Sequence, residues 1–276
     1  MYCFMNGEYM PAEELRISPF DHGFLYGLGF FETFRTYEGK PLFLELHYAR
    51  LLKSLATYRI TMPYTMSEVA DIVVKLVELA GGVDGYFRLN VSAGVHEVGL
   101  RPQAYTTPTV IMFAKPLAIA TPHTEKTARW LHTVRNSPEQ EERYKSHHYG
   151  NNVLARFELP SLAQEEGFFV NEAGHIVEGV TSNIFWVKDG QVYTPSLATG
   201  ALGGITRQLI MNIVPTIEGE FTKQALEQAD ECFVTNAVQE LVPIKSLDGI
   251  LFEGATGSTY QQLYTAYQQL LEERLC

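Results

Sequence analysis

Two kinds of apolar spacing alternate along this chain, and they constrain its fold more than any other feature. Asn6-Gly7 and Asp189-Gly190 each separate two short apolar stretches, a pattern that predicts a tight turn between paired strands. Leu44, Tyr48 and Leu51 instead recur at intervals of three and four, which predicts one face of a helix. Because both spacings recur and no internal repeat is present, the sequence predicts a mixed α/β fold.

Two further helices can be placed from local signals. Thr65 and Glu68 have the spacing of a capping box, in which each side chain satisfies a free backbone N–H group at the start of a helix. A second helix is predicted from Asn151 to Gln164, directly after a run of aromatic and histidine residues. Helices thus occur in both halves of the chain.

A polar stretch with two prolines lies between Lys115 and Glu125, and it marks the predicted domain boundary. We expect a small N-terminal α/β domain at 1–117, a linker at 118–125 and a larger, strand-rich C-terminal α/β domain at 126–276. The length of 276 residues fits two modest domains at about 150 residues each.

The charge balance excludes some classes of partner. The chain has 21 Lys and Arg against 32 Asp and Glu, a net charge of −11. Nucleic acids and anionic membranes both require a basic face, so we expect neither as a partner.

The spacing of Cys3, Cys232 and Cys276 fits neither a disulfide framework nor a zinc site. We therefore expect no metal. The N-terminus has no basic segment followed by an apolar one, which favours a cytoplasmic protein.

Lys145 is the first residue with candidate chemistry. It stands among aromatic and imidazole side chains in the run Arg143 to Asn152. A lysine that is partly desolvated and close to other cations becomes an amine nucleophile near neutral pH. A surface lysine ahead of a helix would give the same local pattern.

Three other features supply complementary groups. Glu178 lies in an apolar, strand-like context and needs a cationic or hydrogen-bonding partner if it is buried, although a strand-end glutamate facing water looks the same. Gly203-Gly204 opens a helix whose free N–H groups and Thr206 hydroxyl suit a phosphate, although a plain glycine-rich loop has this composition too. Arg50 either reaches inward as a phosphate clamp or extends along the apolar stripe of its helix. An amine, a carboxylate, a phosphate seat and an arginine are the contact groups that pyridoxal phosphate requires.

The sequence motifs, taken in order, extend nearly from end to end of the chain. They are Asn6-Gly7, Ser18–Arg35, His47–Leu51, Lys145–Asn152, Val177–Asn183, Gly203–Arg207 and Phe233–Ala237. In these motifs the chain resembles the fold-type IV pyridoxal-phosphate enzymes, a group that holds branched-chain and D-amino-acid aminotransferases and 4-amino-4-deoxychorismate lyases. The resemblance implies two α/β lobes, bound pyridoxal 5'-phosphate and a homodimer.

The resemblance also implies roles for individual residues. Lys145 corresponds to the lysine that forms the Schiff base, and Glu178 to the partner of the pyridine nitrogen. Glu32 corresponds to a residue close to Arg50 and the lysine. The residues at phosphate-binding positions are Arg50, Ile205, Thr206, Asn236 and Ala237.

Within the family the sequence is most similar to those of the aminodeoxychorismate lyases, which form 4-aminobenzoate and pyruvate in folate biosynthesis. Their small dicarboxylate substrate needs cations, for which Arg88 and Arg35 are the candidates. Thr33 and His147 are candidates for orientation or proton relay. Tyr86 and Phe31 complete the predicted substrate-binding set.

Two departures separate the chain from the aminotransferases of this family. The loop from Ala93 to Arg101 has no Arg-x-His pair, which the D-amino-acid enzymes use to hold a carboxylate. Gly150 stands where the branched-chain enzymes have a tyrosine, although Tyr86-Phe87-Arg88 resembles their substrate-binding strand. An aminotransferase on the same scaffold therefore stays an alternative, as does a non-catalytic binding protein.

Overall fold

The computed structural model describes residues 1–82, 84–100, 102–117 and 121–276. These residues fold as two compact units, each built from helices and strands. The first comprises Met1–Ala118, Tyr144–His148 and Arg274–Cys276, and the second comprises Ile119–Arg143 and Tyr149–Glu273. The first three residues of the predicted 118–125 linker lie outside the described residues, and the domain boundaries stay a prediction.

The first unit has one antiparallel sheet and three helices within the described residues. The strands are β1 (Tyr2–Met5), β2 (Glu8–Pro11), β3 (Gly29–Arg35), β4 (Gly85–Ser92) and β5 (Thr109–Pro116). The helices are α1 (His22–Tyr26), α2 (Leu44–Thr57) and α3 (Met66–Leu79). The strand order is β2-β1-β5-β4-β3, which leaves β2 and β3 as the outer strands.

Local sequence explains how these elements begin. The β1–β2 hairpin turns at Asn6 and Gly7, whose φ angles of 47° and 102° are the left-handed values that this two-residue turn requires. The capping box at Thr65 and Glu68 is present, with both hydrogen bonds formed. Side chains from α2 and α3 pack on one face of the sheet, where Leu51, Leu76, Phe34, Phe87 and Val91 are buried in one apolar core.

The second unit is built around a nine-stranded sheet within the described residues. Its strands are β6 (Lys126–Trp130), β7 (Glu165–Val170), β8 (Ile176–Gly179), β9 (Asn183–Lys188), β10 (Gln191–Pro195), β11 (Thr216–Gly219), β12 (Glu231–Asn236), β13 (Glu240–Leu247) and β14 (Ile250–Leu251). The order is β11-β10-β9-β12-β13-β6-β7-β8, and β14 pairs with β13. The helices are α4 (Gly150–Phe157), α5 (Ile205–Ile213), α6 (Lys223–Glu227) and α7 (Ser258–Leu275), with short 3-10 helices at Leu197–Thr199 and Gly254–Thr256.

The predicted helix from Asn151 to Gln164 is wrong in its second half. Helix α4 ends at Phe157, because Leu159 precedes Pro160 and a residue before proline is disfavoured in helical conformation. The carboxylate of Glu158 then accepts hydrogen bonds from the N–H groups of His132 and Thr133, at 2.7 and 2.8 Å. This carboxylate fixes the chain where the helix has ended.

Both units thus combine strands with helices, so the predicted α/β class is confirmed. Among the described residues, no helix is both long enough and apolar enough to cross a bilayer, which takes about 20 apolar residues.

Candidate active site

In the first unit, the segment that carries Lys145 lies along the outer edge of β3. The N–H group of Phe31 donates to the carbonyl of Lys145 at 2.9 Å, and the N–H group of His147 donates to the carbonyl of Gly29 at 2.9 Å. The Lys145 Nζ atom lies 4.6 Å from the centre of the Phe31 ring. Backbone pairing with a sheet edge therefore fixes the position of the predicted nucleophile.

Two glycines lie so close to this segment that a side chain at either position would clash with it. A Cβ atom on Gly29 would lie 2.5 Å from Cε1 of the His147 ring. Gly27 has a φ of +65°, and a Cβ atom there would lie 2.7 Å from Cδ2 of His148. Larger residues at these positions would displace the two histidines that follow Ser146.

A buried ion pair joins α2 to β3 on the core face of the sheet. Arg50 donates to both carboxylate oxygens of Glu32, from Nε at 2.8 Å and from Nη2 at 2.6 Å. Nδ1 of His47 lies 2.7 Å from Oε2 of Glu32. Burial alone would raise the pKa of Glu32, but the Arg50 charge and the hydrogen bonds from Arg50 and His47 lower it to about 2. Burial lowers the pKa of His47, so the imidazole is neutral and donates from Nδ1.

This ion pair predicts an acid-dependent loss of stability. Because the folded-state pKa of Glu32 is about 2 and its ordinary value is 4.5, the group stabilises the fold above pH 4.5 and loses that contribution as the pH falls towards 2. The contribution is about 3 kcal/mol at neutral pH. We expect Glu32→Gln to unfold at a lower temperature than wild type at pH 7. In thermal melts below pH 4.5, the difference in melting temperature between the two proteins should narrow steadily. Glu78→Gln, which removes an exposed pair with Lys75, is the control. A gap that stays constant down to pH 2 would contradict this assignment.

The opposite face of the same sheet collects the predicted substrate-binding residues. By strand register, Phe31, Thr33 and Arg35 of β3 stand opposite Asn90, Arg88 and Tyr86 of β4, so all six side chains point to one face. The Arg88 guanidinium lies 3.5 Å from the centre of the Phe31 ring. The His147 ring stacks on the same phenylalanine at 6.2 Å. Burial, followed by the Arg88 charge, lowers the pKa of His147 to about 4.

In the second unit, Glu178 lies at the end of β8 and is 5% exposed. Its Oε1 atom accepts hydrogen bonds from Nε and Nη2 of Arg135 at 2.9 and 2.7 Å. Its Oε2 atom accepts the N–H of Leu202 at 2.8 Å, and Nε of Arg143 lies 3.8 Å from Oε1. Burial and the neighbouring Arg135 charge lower the pKa of Arg143 to about 10, which leaves it charged at neutral pH. Glu178 is thus a buried carboxylate held between two cations.

The start of α5 is fixed by the strand that follows Glu178. Nδ2 of Asn183 donates to the carbonyl of Leu202 at 2.8 Å, and a Cβ atom on Gly204 would lie 2.0 Å from Oδ1 of Asn183. Glycine is therefore required at the N-cap of the helix. The first-turn N–H groups have no acceptor within the helix, and the buried Thr206 lies in that turn.

A second feature of this region suits a phosphate group. Thr235 lies opposite Asn183 across the β12–β9 pair, so their side chains are on one face. Its Oγ1 atom is buried and has no hydrogen-bond partner among the described residues. The following Asn236 and Ala237 form the turn into β13, where Oδ1 of Asn236 accepts the N–H groups of Val238 and Gln239. Orphaned donors beside a helix N-terminus are a donor set that fits a phosphate.

The predicted site residues fall in both units. Lys145, Phe31, Arg88 and His147 are brought together in the first unit, and the charge of Lys145 also contributes to lowering the pKa of His47, which binds Glu32 beside Arg50. The residues of the second unit are Glu178, Ile205, Thr206, Asn236 and Ala237. Sequence reasoning missed Arg135, Arg143 and His47, which hold the predicted carboxylates. Only the need of a buried carboxylate for a partner pointed to them, and it did not say which residues they are.

Comparison with known proteins identifies the family of this chain. The family model described as amino-transferase class IV matches residues 29–247. This match covers most of the chain, and the chain belongs to the class IV aminotransferase family.

Two relatives and one solved structure illustrate the range of activities in that family. The chain is 38% identical to an aminodeoxychorismate lyase of Bacillus subtilis, over 99% of this chain and 95% of the relative. It is 33% identical to a putative branched-chain-amino-acid aminotransferase of Methanocaldococcus jannaschii, over 90% and 88%. The structure of a T.th. branched-chain amino acid aminotransferase with pyridoxamine 5'-phosphate has a TM-score of 0.87 at 25% identity, over 99% of this chain and 94% of that chain.

Proposed function

We propose that this protein is an aminodeoxychorismate lyase, which converts 4-amino-4-deoxychorismate to 4-aminobenzoate and pyruvate with pyridoxal 5'-phosphate as cofactor. The observation that carries the proposal is the pair of cations on one aromatic ring. The Lys145 amine and the Arg88 guanidinium both lie against Phe31. Such a surface suits a flat ring with an amine at one end and a carboxylate at the other. The Bacillus subtilis relative supports the same activity.

The donor sets described above fit the cofactor. When bound, pyridoxal phosphate supplies an electron sink for a carbanion at the amine-bearing carbon of the substrate. Lys145 supplies the primary amine for covalent attachment. The first turn of α5, with Thr206 and the orphaned Thr235 hydroxyl, supplies donors for the phosphate.

Lys145 has a second task as a base. With the cofactor bound, the Lys145 amine would be the base that removes the proton from the ring carbon that carries the substrate nitrogen. The carbon–oxygen bond to the enolpyruvyl group then breaks, the ring becomes aromatic, and the departing group takes up a proton to become pyruvate. The proton removed and the proton taken up balance, so the reaction needs no oxidant.

Glu178 holds a proton on the pyridine nitrogen in this proposal. Its ion pair with Arg135 and the hydrogen bond from Leu202 keep the carboxylate oriented. A charged carboxylate next to the ring nitrogen favours the protonated ring, which strengthens the electron sink.

An aminotransferase is the second candidate, and the Methanocaldococcus jannaschii relative favours it. In such an enzyme Lys145 would still be the base that moves the proton, but no carbon–oxygen bond of the substrate would break. Arg88 would then hold the carboxylate of an amino acid.

The two candidates differ in their products. We expect the purified protein with pyridoxal phosphate to release 4-aminobenzoate and pyruvate in equal amounts from aminodeoxychorismate, because aromatisation drives the elimination. Chromatography of the products measures both. Parallel reactions with D-alanine or leucine and 2-oxoglutarate measure amino-group exchange, and the Lys145→Ala variant gives the uncatalysed background. Exchange without any 4-aminobenzoate would reject the lyase and favour the aminotransferase.

We also propose that the protein acts as a cytoplasmic homodimer. The first unit exposes apolar side chains around α1 and the 95–100 loop, among them Phe24 at 67% and Leu100 at 83% exposure. Exposed apolar patches of this kind mark association surfaces. A mass of twice 31.1 kDa by light scattering in solution tests the dimer.

A further inference from the structure

Glu166 is a buried carboxylate to which the proposed chemistry gives no role. It lies on β7 and is 1% exposed. Its Oε1 atom accepts the N–H groups of Gly167 at 3.2 Å and of Val180 at 3.1 Å. Its Oε2 atom accepts the hydroxyl of Ser182 at 3.1 Å. Val180 and Ser182 belong to the turn between β8 and β9, directly after Glu178.

This turn is closed around Glu166. The N–H of Gly179 donates to the carbonyl of Ser182 at 2.8 Å. A Cβ atom on Gly179 would lie 2.2 Å from Oγ of Ser182 and 3.1 Å from the Glu166 carboxylate. The residue after Glu178 must therefore be glycine, because the Glu166–Ser182 contact fills the space of a side chain.

The residues that flank the turn bind the two main-chain polar groups of one residue, Leu202. Glu178 accepts the N–H of Leu202 at 2.8 Å, and Asn183 donates to the carbonyl of Leu202 at 2.8 Å. Leu202 is three residues before the start of α5. A shift of the turn would therefore move both the Glu178 carboxylate and the first turn of the helix.

A buried lysine near Glu166 contacts the turn that carries Asn236 and Ala237, the other turn proposed to bind the phosphate. Lys126 is 4% exposed, and burial lowers its pKa while the charge of Glu166 opposes that shift. Its Nζ atom donates to Oε1 of Gln239 at 3.3 Å. The N–H of Gln239 donates to Oδ1 of Asn236 at 2.8 Å. Burial raises the pKa of Glu166, and the charge of Lys126 opposes that shift.

We propose that Glu166 is a positioning residue that sets the Glu178 carboxylate and the first turn of α5 through the Gly179–Ser182 turn. The proposal rests on the proposed function, since it assumes that these two elements bind the ring nitrogen and the phosphate of one cofactor. Glu166 itself touches neither group. It acts only through the backbone and through Ser182.

Amide hydrogen exchange in the cofactor-free protein tests the structural part. We expect Glu166→Ala to speed exchange at Gly179 and Leu202 by about tenfold, since the turn loses its buried acceptor. Glu166→Gln keeps an acceptor oxygen, so exchange at both amides should return towards the wild-type rate. The matched control is Glu165→Gln, which removes a neighbouring carboxylate that pairs with Arg129 instead. Exchange at Val192 and Tyr193 of β10 reports on general loosening of the sheet.

Titration of the same cofactor-free proteins with pyridoxal phosphate tests the functional part. We expect the dissociation constant to rise about tenfold in Glu166→Ala, to recover in part in Glu166→Gln and to stay unchanged in Glu165→Gln. Unchanged exchange at Gly179 and Leu202, or equal loosening at β10, would overturn the positioning role. If Glu166→Ala does not fold, Glu166→Gln decides: a modest rise in exchange at Gly179 and Leu202 with β10 unchanged supports the positioning role, whereas wild-type exchange at both amides, or loosening throughout the sheet, overturns it. If wild type binds no pyridoxal phosphate, the proposed function fails while the exchange rates still decide the role of Glu166.

Discussion

Replacement of Lys145 by alanine is expected to abolish turnover, with a fall in kcat of at least about 10⁴-fold. The side chain carries two tasks in the proposed reaction, covalent attachment of the cofactor and removal of the ring proton, and a positioned base alone contributes about 10²–10⁴-fold. The variant should also lose the yellow colour that borohydride bleaches in wild type. Absorbance spectra before and after borohydride measure the attachment, and product formation measures kcat.

The control for this variant is Lys75→Ala, which removes an exposed lysine of α3 that pairs with Glu78. An exposed pair contributes about 0–1 kcal/mol to stability, so colour and turnover should both persist. A Lys145→Ala protein that is bleached like wild type would remove this lysine from the proposed role. A wild-type protein that stays colourless with added pyridoxal phosphate would leave only the non-catalytic binding protein.

Replacement of Glu178 by glutamine should leave the cofactor bound but lower kcat by about 10²–10³-fold. The amide keeps the size of the side chain, and Lys145 and the α5 phosphate seat are unchanged. It carries no negative charge, however, and so cannot hold a proton on the ring nitrogen, which is a loss of electrostatic stabilisation in the transition state. Spectroscopic titration measures cofactor binding, and product formation measures kcat.

A matched control is Glu218→Gln. Glu218 lies on β11, and its carboxylate is paired with a buried arginine, Arg207 of α5. If the effect of Glu178→Gln came only from an unpaired arginine, the control would lose activity to a similar extent. Near-normal turnover in Glu178→Gln would refute the role given to this carboxylate.

Elements with their own local signals can be predicted from the sequence. The Asn6-Gly7 turn and the capping box at Thr65 and Glu68 depend on neighbouring residues only, and both are confirmed. The predicted helix from Asn151 is too long because apolar residues continue past Phe157. Strands β6 and β13 escape prediction, although they lie next to each other within the nine-stranded sheet and the Asp248-Gly249 turn, with φ angles of 46° and 91°, joins β13 to β14.

The candidate site shows the same limit. Lys145 and Glu178 stand out locally, as an amine among cations and a carboxylate in an apolar stretch. Their partners do not, because the contacts span the chain: Arg135 precedes Glu178 by 43 residues. Glu166 follows Gln164 and Glu165 in the sequence, so it does not stand out as Glu178 does, and nothing local marks it as a buried carboxylate in need of partners. No local signal names Ser182 or Val180 as those partners.

The two main-chain contacts of Leu202 have a consequence for which substitutions this position tolerates in evolution. Both of its contacts involve main-chain atoms, the N–H that Glu178 accepts and the carbonyl that Asn183 binds. Natural variants should therefore accept many side chains at 202, large or small, with little effect on activity. Proline is the exception, since it has no N–H to offer. A single inserted or deleted residue in this loop would be far more harmful than most exchanges at 202.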